Sequence, residues 1–223
     1  MMEKGKLIVI DGSDGSGKKT QTDLLIKYFK DKKKKTSYYD FPQYYKTIFG
    51  KMIGRYLNGE FGEADEVSPY LASLMYAGDR GQAKDKIIKD LEQGKIVIAN
   101  RYTQSSMGFQ TAKIAEKSKK EKFINWLEEL EYKTYGLPKA DLVIYLYVPY
   151  KIAQELVDQK NRRKYTNMQR DIHEKNSEFL QRVEKQYISL SKKYPEWRLI
   201  NCVNNDQMLS PQEISNLIIK EVE

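Results

Sequence analysis

The sequence predicts a three-layer α/β fold, in which helices flank a five-stranded parallel sheet and a small lid is attached. Apolar, largely β-branched runs of strand length, typical of buried parallel strands, lie at 6–11, 95–99 and 141–148, with weaker ones at 36–40 and 197–202. Helical patterns lie between or after them at 20–30, 66–94, 121–132 and 177–194. Because strands and helices alternate, the connections are expected to be right-handed crossovers.

Length and charge limit the classes of protein to which this sequence can belong. A chain of 223 residues is long enough for one substantial core, so a single domain over 1–223 is predicted. The 39 Lys and Arg exceed the 31 Asp and Glu, and the net charge of +8 suits an anionic partner such as a nucleotide. Much of this excess lies in local runs at 30–35 and 116–122, which are typical of solvated turns and helix faces. No stable nucleic-acid partner is expected.

Cysteine content and hydropathy predict a compartment. The single cysteine, Cys202, has no partner for an internal disulfide, which is typical of an intracellular protein. Neither a secretory apolar run nor a segment of membrane-spanning length is found. We therefore expect a soluble, cytoplasmic protein without a membrane partner.

The segment GSDGSGKKT, 12–20, resembles a phosphate-binding loop of the form G-x-x-x-x-G-K-[ST]. It follows the first predicted strand and opens the first helix, where backbone N–H groups and the helix N-terminus bind phosphate. One position departs from the pattern, because Lys19 replaces the hydroxyl that usually binds Mg²⁺ and Thr20 comes one residue late. The residues predicted to contact the phosphates of ATP are Gly12, Ser13, Gly15, Ser16, Gly17, Lys18, Lys19 and Thr20.

A second group of residues suits a nucleobase and a second phosphate. Tyr76 and Arg80 are one helical turn apart, so a ring and a guanidinium can project into one pocket. Taken alone, however, this pair is more typical of a core aromatic and a surface charge than of a binding pocket. Arg101 follows a buried strand, in the crevice where open α/β sheets bind ligands.

The order and spacing of six segments resemble the thymidylate kinase family over nearly the whole chain. These segments are GSDGSGKKTQ, DFPQYY, YLASLMYAGDR, NRYTQSSMGFQTAK, GLPKADLVIYLYV and DIHEKN. The resemblance implies a P-loop kinase fold, with an acceptor-binding region at 41–113 and a lid at about 158–172. It also implies ATP and dTMP as substrates, Mg²⁺ bound with ATP, and a homodimer.

The same resemblance implies roles for individual residues of the acceptor site. Tyr76 stacks on thymine while Arg80 donates to its edge, and Arg101 grips the acceptor phosphate. Tyr44 stands near the position where many relatives have an arginine, which leaves Arg55 or Arg101 to meet that phosphate. The full set of implied dTMP-binding residues is Asp14, Phe41, Arg55, Tyr76, Arg80, Arg101, Ser105, Ser106 and Phe109, with Phe109 against the 2′ carbon and Asp14 near the 3′-hydroxyl and the metal.

The polar, basic segment 158–174 fits either a mobile lid or a solvated loop. In the family, a catalytic arginine comes from the phosphate loop or from the lid, and this loop has Gly15 and Ser16 where that arginine would stand. The resemblance therefore implies a lid arginine, with Arg162 and Arg163 preferred over Arg170. Lys18, Asp14, Arg101, Arg162 and Arg163 form the predicted catalytic set. Glu174 is a candidate to hold metal or a lid arginine, and the single histidine, His173, is expected to be structural.

Two positions predict an unusual electrostatic balance near the metal. Lys19 adds a positive charge, and Asn100 removes the negative charge of the aspartate that usually precedes the Arg-Tyr pair. The site is thus expected to be about two units more positive than the family pattern and to hold Mg²⁺ weakly by itself. Three hypotheses remain: an ATP:dTMP phosphotransferase, a kinase for another nucleoside monophosphate such as dUMP, and a catalytically weak P-loop protein that binds nucleotide or nucleic acid.

Overall fold

All five predicted strands form in the computed structural model, which describes residues 4–158 and 171–223. The strands are β1 (Lys6–Gly12), β2 (Thr36–Asp40), β3 (Ile96–Asn100), β4 (Leu142–Tyr147) and β5 (Trp197–Asn201). They pair in the order β2-β3-β1-β4-β5, and every pairing is parallel. A small antiparallel pair, β6 (Val203–Asn204) and β7 (Gln207–Met208), follows the sheet.

Helices cover both faces of this sheet. They are α1 (Lys18–Asp31), α2 (Ile48–Leu57), α3 (Pro69–Gly81), α4 (Lys84–Glu92), α5 (Thr103–Phe109), α6 (Lys117–Glu128), α7 (Tyr150–Asp158), α8 (Ser177–Lys193) and α9 (Pro211–Val222). A short 3₁₀ turn at Thr111–Lys113 follows α5, and a π-helical turn at Glu129–Thr134 follows α6. No helix in the described part of the chain is both long and apolar enough to cross a membrane.

Side chains of the strands alternate between two apolar cores. Leu7 and Val9 of β1 face a core shared with α5, α6 and α8, while Ile8 and Ile10 face a second core shared with α1 and α9. All four side chains are at most 3% exposed. Burial on both faces explains why these strands carry continuous apolar runs.

The predicted single helix over 66–94 is wrong, because the chain forms α3 and α4 with a tight turn between them. Ala83 N–H donates to the carbonyl of Arg80 at 2.9 Å, so the helix closes with an i to i+3 bond. At Gly81, an added Cβ would lie 2.5 Å from the ring of Tyr135, which leaves room only for glycine. This turn directs Arg80 towards the π-helical turn.

Four helices were not predicted from the sequence: α2, α5, α7 and α9. The first, α2, contains Gly50 and Gly54, which weaken its helix propensity. It is stabilised instead by burial of Ile53, Tyr56 and Leu57. In contrast, α9 carries a recognisable signal, a Ser210 and Glu213 capping box with Pro at the first helical position.

We expect Gly108→Ala to destabilise the protein by about 2 kcal/mol, because overpacking a rigid core is costly. A Cβ at Gly108 would lie 2.3 Å from the ring of Tyr187, and that ring stacks on Tyr145 with centroids 4.8 Å apart. Urea unfolding measures the change. The matched control is Gly54→Ala, whose Cβ would approach nothing closer than 3.9 Å, and it should be neutral or slightly stabilising. Equal effects of the two substitutions would contradict this packing argument.

Candidate functional site

A cavity of about 310 Å³ lies at the carboxyl ends of β1, β2 and β3. It is the crevice where ligands bind in open α/β sheets. The predicted site residues in its wall are Asp14, Gly15, Gly17, Lys18, Lys19, Thr20, Phe41, Tyr76, Arg80, Arg101, Ser105, Ser106 and Phe109. The phosphate loop and the predicted acceptor residues therefore share one continuous space.

Backbone geometry shapes the phosphate loop. Gly15 and Gly17 have φ of +90° and +83°, a region that favours glycine, and a Cβ on Gly15 would lie 2.6 Å from the carbonyl oxygen of Ala153. The hydroxyls of Ser13 and Ser16 are buried and have no hydrogen-bond partner among the described residues. The amide of Gly12 already donates to Asp11 at 2.8 Å. Gly12, Ser13 and Ser16 thus support the loop but do not line the main cavity.

The Lys18 side chain folds back over this loop. Its Nζ donates to the carbonyl oxygens of Ser13 at 2.7 Å and Gly12 at 3.2 Å, and lies 3.6 Å from Asp14. An ammonium held on the loop in this way can move to a phosphate oxygen without unfolding any helix. The position fits the charge-neutralising role predicted for Lys18.

Lys19 and Asn100 have acidic partners that the sequence analysis did not consider. The Lys19 ammonium is exposed, ion-pairs with Asp23, and lies 5.5 Å from the ring centre of Tyr38. Asn100 Nδ2 donates to Asp40 Oδ1 at 2.7 Å, because the two residues are paired on neighbouring strands. Burial raises the pKa of Asp40, and hydrogen bonds from Asn100 and Tyr38 oppose that rise.

These contacts offset part of the positive charge near Lys19 and Asn100, while the predicted difference of about two units from the family pattern stays a prediction. Asp23 pairs with Lys19 outside the cavity, and Asp40 supplies a carboxylate beside Asn100 within it. The local charge balance also depends on residues brought close by strand pairing.

Arg101 lies between the phosphate loop and the acceptor side of the cavity. Its Nη2 donates to Asp14 at 2.9 Å, its Nη1 lies 3.6 Å from Asp11, and its guanidinium is 5.2 Å from the ring centre of Phe109. Although burial disfavours the charged form, Asp14 and Asp11 raise the pKa of Arg101 well above its ordinary value. Its φ of +62° is uncommon for a residue other than glycine, and such strain is often found at functional sites.

Asp11 is a site residue that sequence reasoning missed. It is completely buried at the end of β1, and its carboxylate accepts hydrogen bonds from Ser105 at 2.8 Å and Tyr187 at 3.0 Å. Ser105 is thereby held beside Arg101, with 3.4 Å between its Oγ and Nη1. An acidic residue directly after a buried parallel strand was the signal that could have identified it.

Arg80 is held by a buried carboxylate, Glu131, which was also missed. Arg80 Nε donates to Glu131 Oε2 at 2.7 Å, and its Nη2 ion-pairs with Oε1. Its Nη2 also donates to Ser106 at 2.9 Å and its Nη1 to the Tyr102 carbonyl at 3.2 Å. Although burial lowers it, Glu131 raises the pKa of Arg80 overall. These contacts use four of the five guanidinium N–H groups. They fix the plane of the guanidinium and therefore the direction of the fifth N–H group.

Aromatic side chains form the remaining wall. Tyr76 is half-buried, and its ring packs edge-on against Tyr56 with centroids 6.4 Å apart. Phe109 stacks on His173 with centroids 5.5 Å apart and planes inclined by 23°. Burial, then the nearby Lys113 cation, lowers the pKa of His173 to about 3, so the imidazole is neutral.

Some predicted residues are not brought into the cavity. Arg55 is exposed on α2, donates to Glu60 at 2.7 Å, and is absent from the cavity wall. Glu174 accepts the Asp171 N–H at 3.1 Å and lines a smaller neighbouring pocket with Ser13 and Asp14. Arg162, Arg163 and Arg170 lie outside the described residues, as does most of the predicted lid. Within residues 4–158 and 171–223, no three or more metal-ligating side chains cluster together.

The parallel sheet, phosphate loop and adjoining basic pocket define an ATP-dependent nucleoside monophosphate kinase, a phosphotransferase. The sequence model of the thymidylate kinase family matches residues 10–214. The chain therefore belongs to the thymidylate kinase family.

Individual relatives agree with this assignment. A probable thymidylate kinase of Thermococcus onnurineus is 32% identical, and the alignment covers 97% of this chain and 96% of the relative. Thymidylate kinase of Mycobacterium tuberculosis is 29% identical over 83% of this chain and 85% of its own. The solved thymidylate kinase structure from Candida albicans has the same fold, with a TM-score of 0.75, 23% identity, and coverage of 98% of this chain and 91% of that one.

Proposed function

We propose that this protein transfers the γ-phosphate of ATP to dTMP and forms dTDP and ADP. The observation that carries the proposal is the shared cavity, in which Lys18 of the phosphate loop, Arg101 and the Tyr76 and Arg80 pair face one space. An acceptor phosphate beside Arg101 lies next to the phosphate loop, while its base reaches Tyr76 and Arg80. This arrangement suits in-line transfer between two bound nucleotides.

The transfer needs no strong base, because the acceptor phosphate is already anionic. One of its oxygens forms a bond to the γ-phosphorus, the bond from that phosphorus to the β,γ-bridging oxygen breaks, and ADP leaves with the electron pair. Lys18 neutralises charge on the moving group, and Arg101 exchanges its Asp14 contact for the acceptor phosphate. Lid arginines, Arg162 or Arg163 first, complete the predicted set.

Mg²⁺, bound with ATP, would neutralise charge on the phosphate oxygens. The donors near the loop fit this role, because Asp14 and Asp40 are oxygen ligands in the same cavity and Mg²⁺ prefers oxygen. Glu174 remains a candidate from the neighbouring pocket. A cytoplasmic location likewise remains a prediction from the sequence.

Base preference tests the proposal. The ratio kcat/KM should be measured with MgATP and each of dTMP, dUMP, dCMP, dGMP and dAMP, with detection of both ADP and the nucleoside diphosphate. We expect dTMP to be the best acceptor. A higher kcat/KM for dUMP would favour the alternative kinase, and binding of ATP and dTMP without transfer would favour the catalytically weak binding protein.

We also propose a homodimer formed through α2 and α3. These helices pack together, and their outer sides carry Ile48 and Leu71, which are 67% and 61% exposed. Met52 and Leu74 are exposed at helical spacing from them, and Tyr45 is exposed in the turn before α2. Apolar side chains at such positions are typical of surfaces that bind a second protein.

We expect the double substitution Ile48→Glu and Leu71→Glu to convert the dimer to a monomer, because it places two charges from each subunit in the interface. Sedimentation velocity measures the change. Leu199→Glu is the control, since Leu199 is 39% exposed on β5, away from α2 and α3. A monomeric wild-type protein would contradict the proposal directly.

A further inference from the structure

Three polar side chains form a hydrogen-bonded chain behind the acceptor pocket. Lys113 Nζ donates to the Tyr56 hydroxyl at 2.8 Å, and that hydroxyl lies 3.0 Å from His173 Nε2. Tyr56 belongs to α2, Lys113 to the 3₁₀ turn after α5, and His173 to the segment before α8. The chain therefore joins three separate parts of the fold.

Donor chemistry gives this chain a direction. An ammonium can only donate, and Lys113 donates both to Tyr56 and to the Val67 carbonyl at 3.1 Å. The Tyr56 oxygen accepts that bond and keeps its own hydrogen, which it can donate to His173 Nε2 when that nitrogen is unprotonated. The imidazole then carries its proton on Nδ1, and its ring plane is set by the bond at the opposite nitrogen.

The far end of the chain contacts the wall of the cavity. His173 stacks on Phe109, and both side chains line the cavity. Phe109 also contacts the Arg101 guanidinium, 5.2 Å from its ring centre, the ring of Tyr187, packed edge-on at 6.0 Å, and the ring of Phe179, with centroids 6.3 Å apart. Of these neighbours, the imidazole is the one that stacks on the Phe109 ring, so the tilt of that ring depends on His173.

If these three hydrogen-bonded side chains contributed only to folding, apolar side chains in their place would stabilise the protein more. Burial lowers the pKa of Lys113 to about 8, which means that the fold disfavours this ammonium. The Tyr56 side chain is fully buried, and His173 is 5% exposed. Polar groups at such depth cost stability unless they are hydrogen-bonded, so the bonds of Lys113, Tyr56 and His173 depend on one another.

We propose that Lys113 and Tyr56 are positioning residues which, through His173, hold the Phe109 ring against the acceptor sugar and so set the preference for deoxyribose over ribose. The inference rests on the proposed function, because it assumes that a nucleoside monophosphate occupies this cavity. When the Phe109 ring is fixed against the sugar, it leaves no space for the 2′-hydroxyl of ribose. When the ring can tilt, a ribose acceptor can bind.

The test compares kcat and KM for dTMP and for its ribose counterpart, 5-methyluridine monophosphate, in wild type, Tyr56→Phe and Lys113→Met. We expect the deoxyribose preference to fall about tenfold in each variant, which corresponds to the loss of one positioning hydrogen bond. The change should be mainly in the KM values of the acceptors, while the KM for ATP stays within about twofold of wild type. Lys113→Arg retains a cationic donor and should restore much of the preference.

Two controls separate positioning from general destabilisation. Tyr28→Phe removes a hydroxyl that is bonded to Glu223 on the surface, and Lys119→Met removes an exposed partner of Glu116. Both should keep the wild-type preference. Wild-type protein that fails to phosphorylate dTMP would overturn the proposed function itself. An active wild type whose Tyr56→Phe and Lys113→Met variants keep the full deoxyribose preference, or lose activity with both acceptors and with ATP in proportion, would overturn only this inference.

Discussion

Lys18→Met is expected to lower kcat about 10³-fold, because a preorganised cation at the transferred phosphoryl group is a large part of the catalysis of such reactions. The Lys18 ammonium is held at the mouth of the phosphate loop by two carbonyl oxygens and the nearby Asp14. Methionine keeps an unbranched four-atom stem like that of lysine and removes the ammonium group, with its charge and its donors. Steady-state kinetics with saturating MgATP and dTMP measure the loss.

The adjacent lysine provides a matched comparison. Lys19 is 62% exposed at its side chain and ion-pairs with Asp23, so Lys19→Met should lower kcat only about threefold. The two variants remove the same group from neighbouring positions in one helix. If the two variants lost activity equally, the assignment of Lys18, and not Lys19, as the lysine that contacts the transferred phosphate would be wrong.

Glu131→Leu is expected to lower the free energy of unfolding by about 3 kcal/mol, because it leaves the Arg80 charge buried without its partner. Arg80 and Glu131 are at most 1% exposed, and Glu131 also accepts a hydrogen bond from Thr103 at 2.9 Å. The same substitution frees the Arg80 guanidinium to rotate, so the KM for dTMP should rise about tenfold. Urea unfolding and acceptor kinetics measure the two effects.

A second substitution distinguishes charge burial from lost packing. In the double variant Arg80→Met with Glu131→Leu, both charges are gone, so most of the lost stability should return while dTMP binding stays weak. Glu116→Gln is the surface comparison, since its pair with Lys119 is exposed, and it should leave the urea unfolding midpoint unchanged. A double variant no more stable than Glu131→Leu would contradict the assigned role of the ion pair.

The parts of the fold that were predictable have local causes. The strands were identified because burial on both faces demands unbroken apolar runs such as Leu7 to Ile10. The phosphate loop was identified because glycine spacing and a following helix are both consequences of phosphate geometry. The position of Tyr76 and Arg80 in one cavity followed from helical spacing together with the family resemblance, although their individual roles remain predictions.

The unpredicted features depend on contacts distant in sequence. Glu131 lies in an acidic stretch that looks like a solvated helix end, and only the π-helical turn buries it against Arg80. Asp40 becomes part of the site because β2 pairs with β3 and brings it to Asn100. Arg55 was implied by the family resemblance as a substitute for an arginine missing at Tyr44, whereas its helix directs it to Glu60. In each case tertiary placement decided the environment of a charge, and sequence pattern did not contain that information.

The most direct test of the account is a single-turnover reaction of the protein with MgATP labelled at the γ-phosphate and unlabelled dTMP, in which the position of the label is measured. One shared cavity predicts that the label moves to the β-phosphate of dTDP, with an equal amount of ADP formed. Label released only as inorganic phosphate, or retained on ATP while dTMP is bound, would contradict the claim that the two nucleotides meet in this cavity.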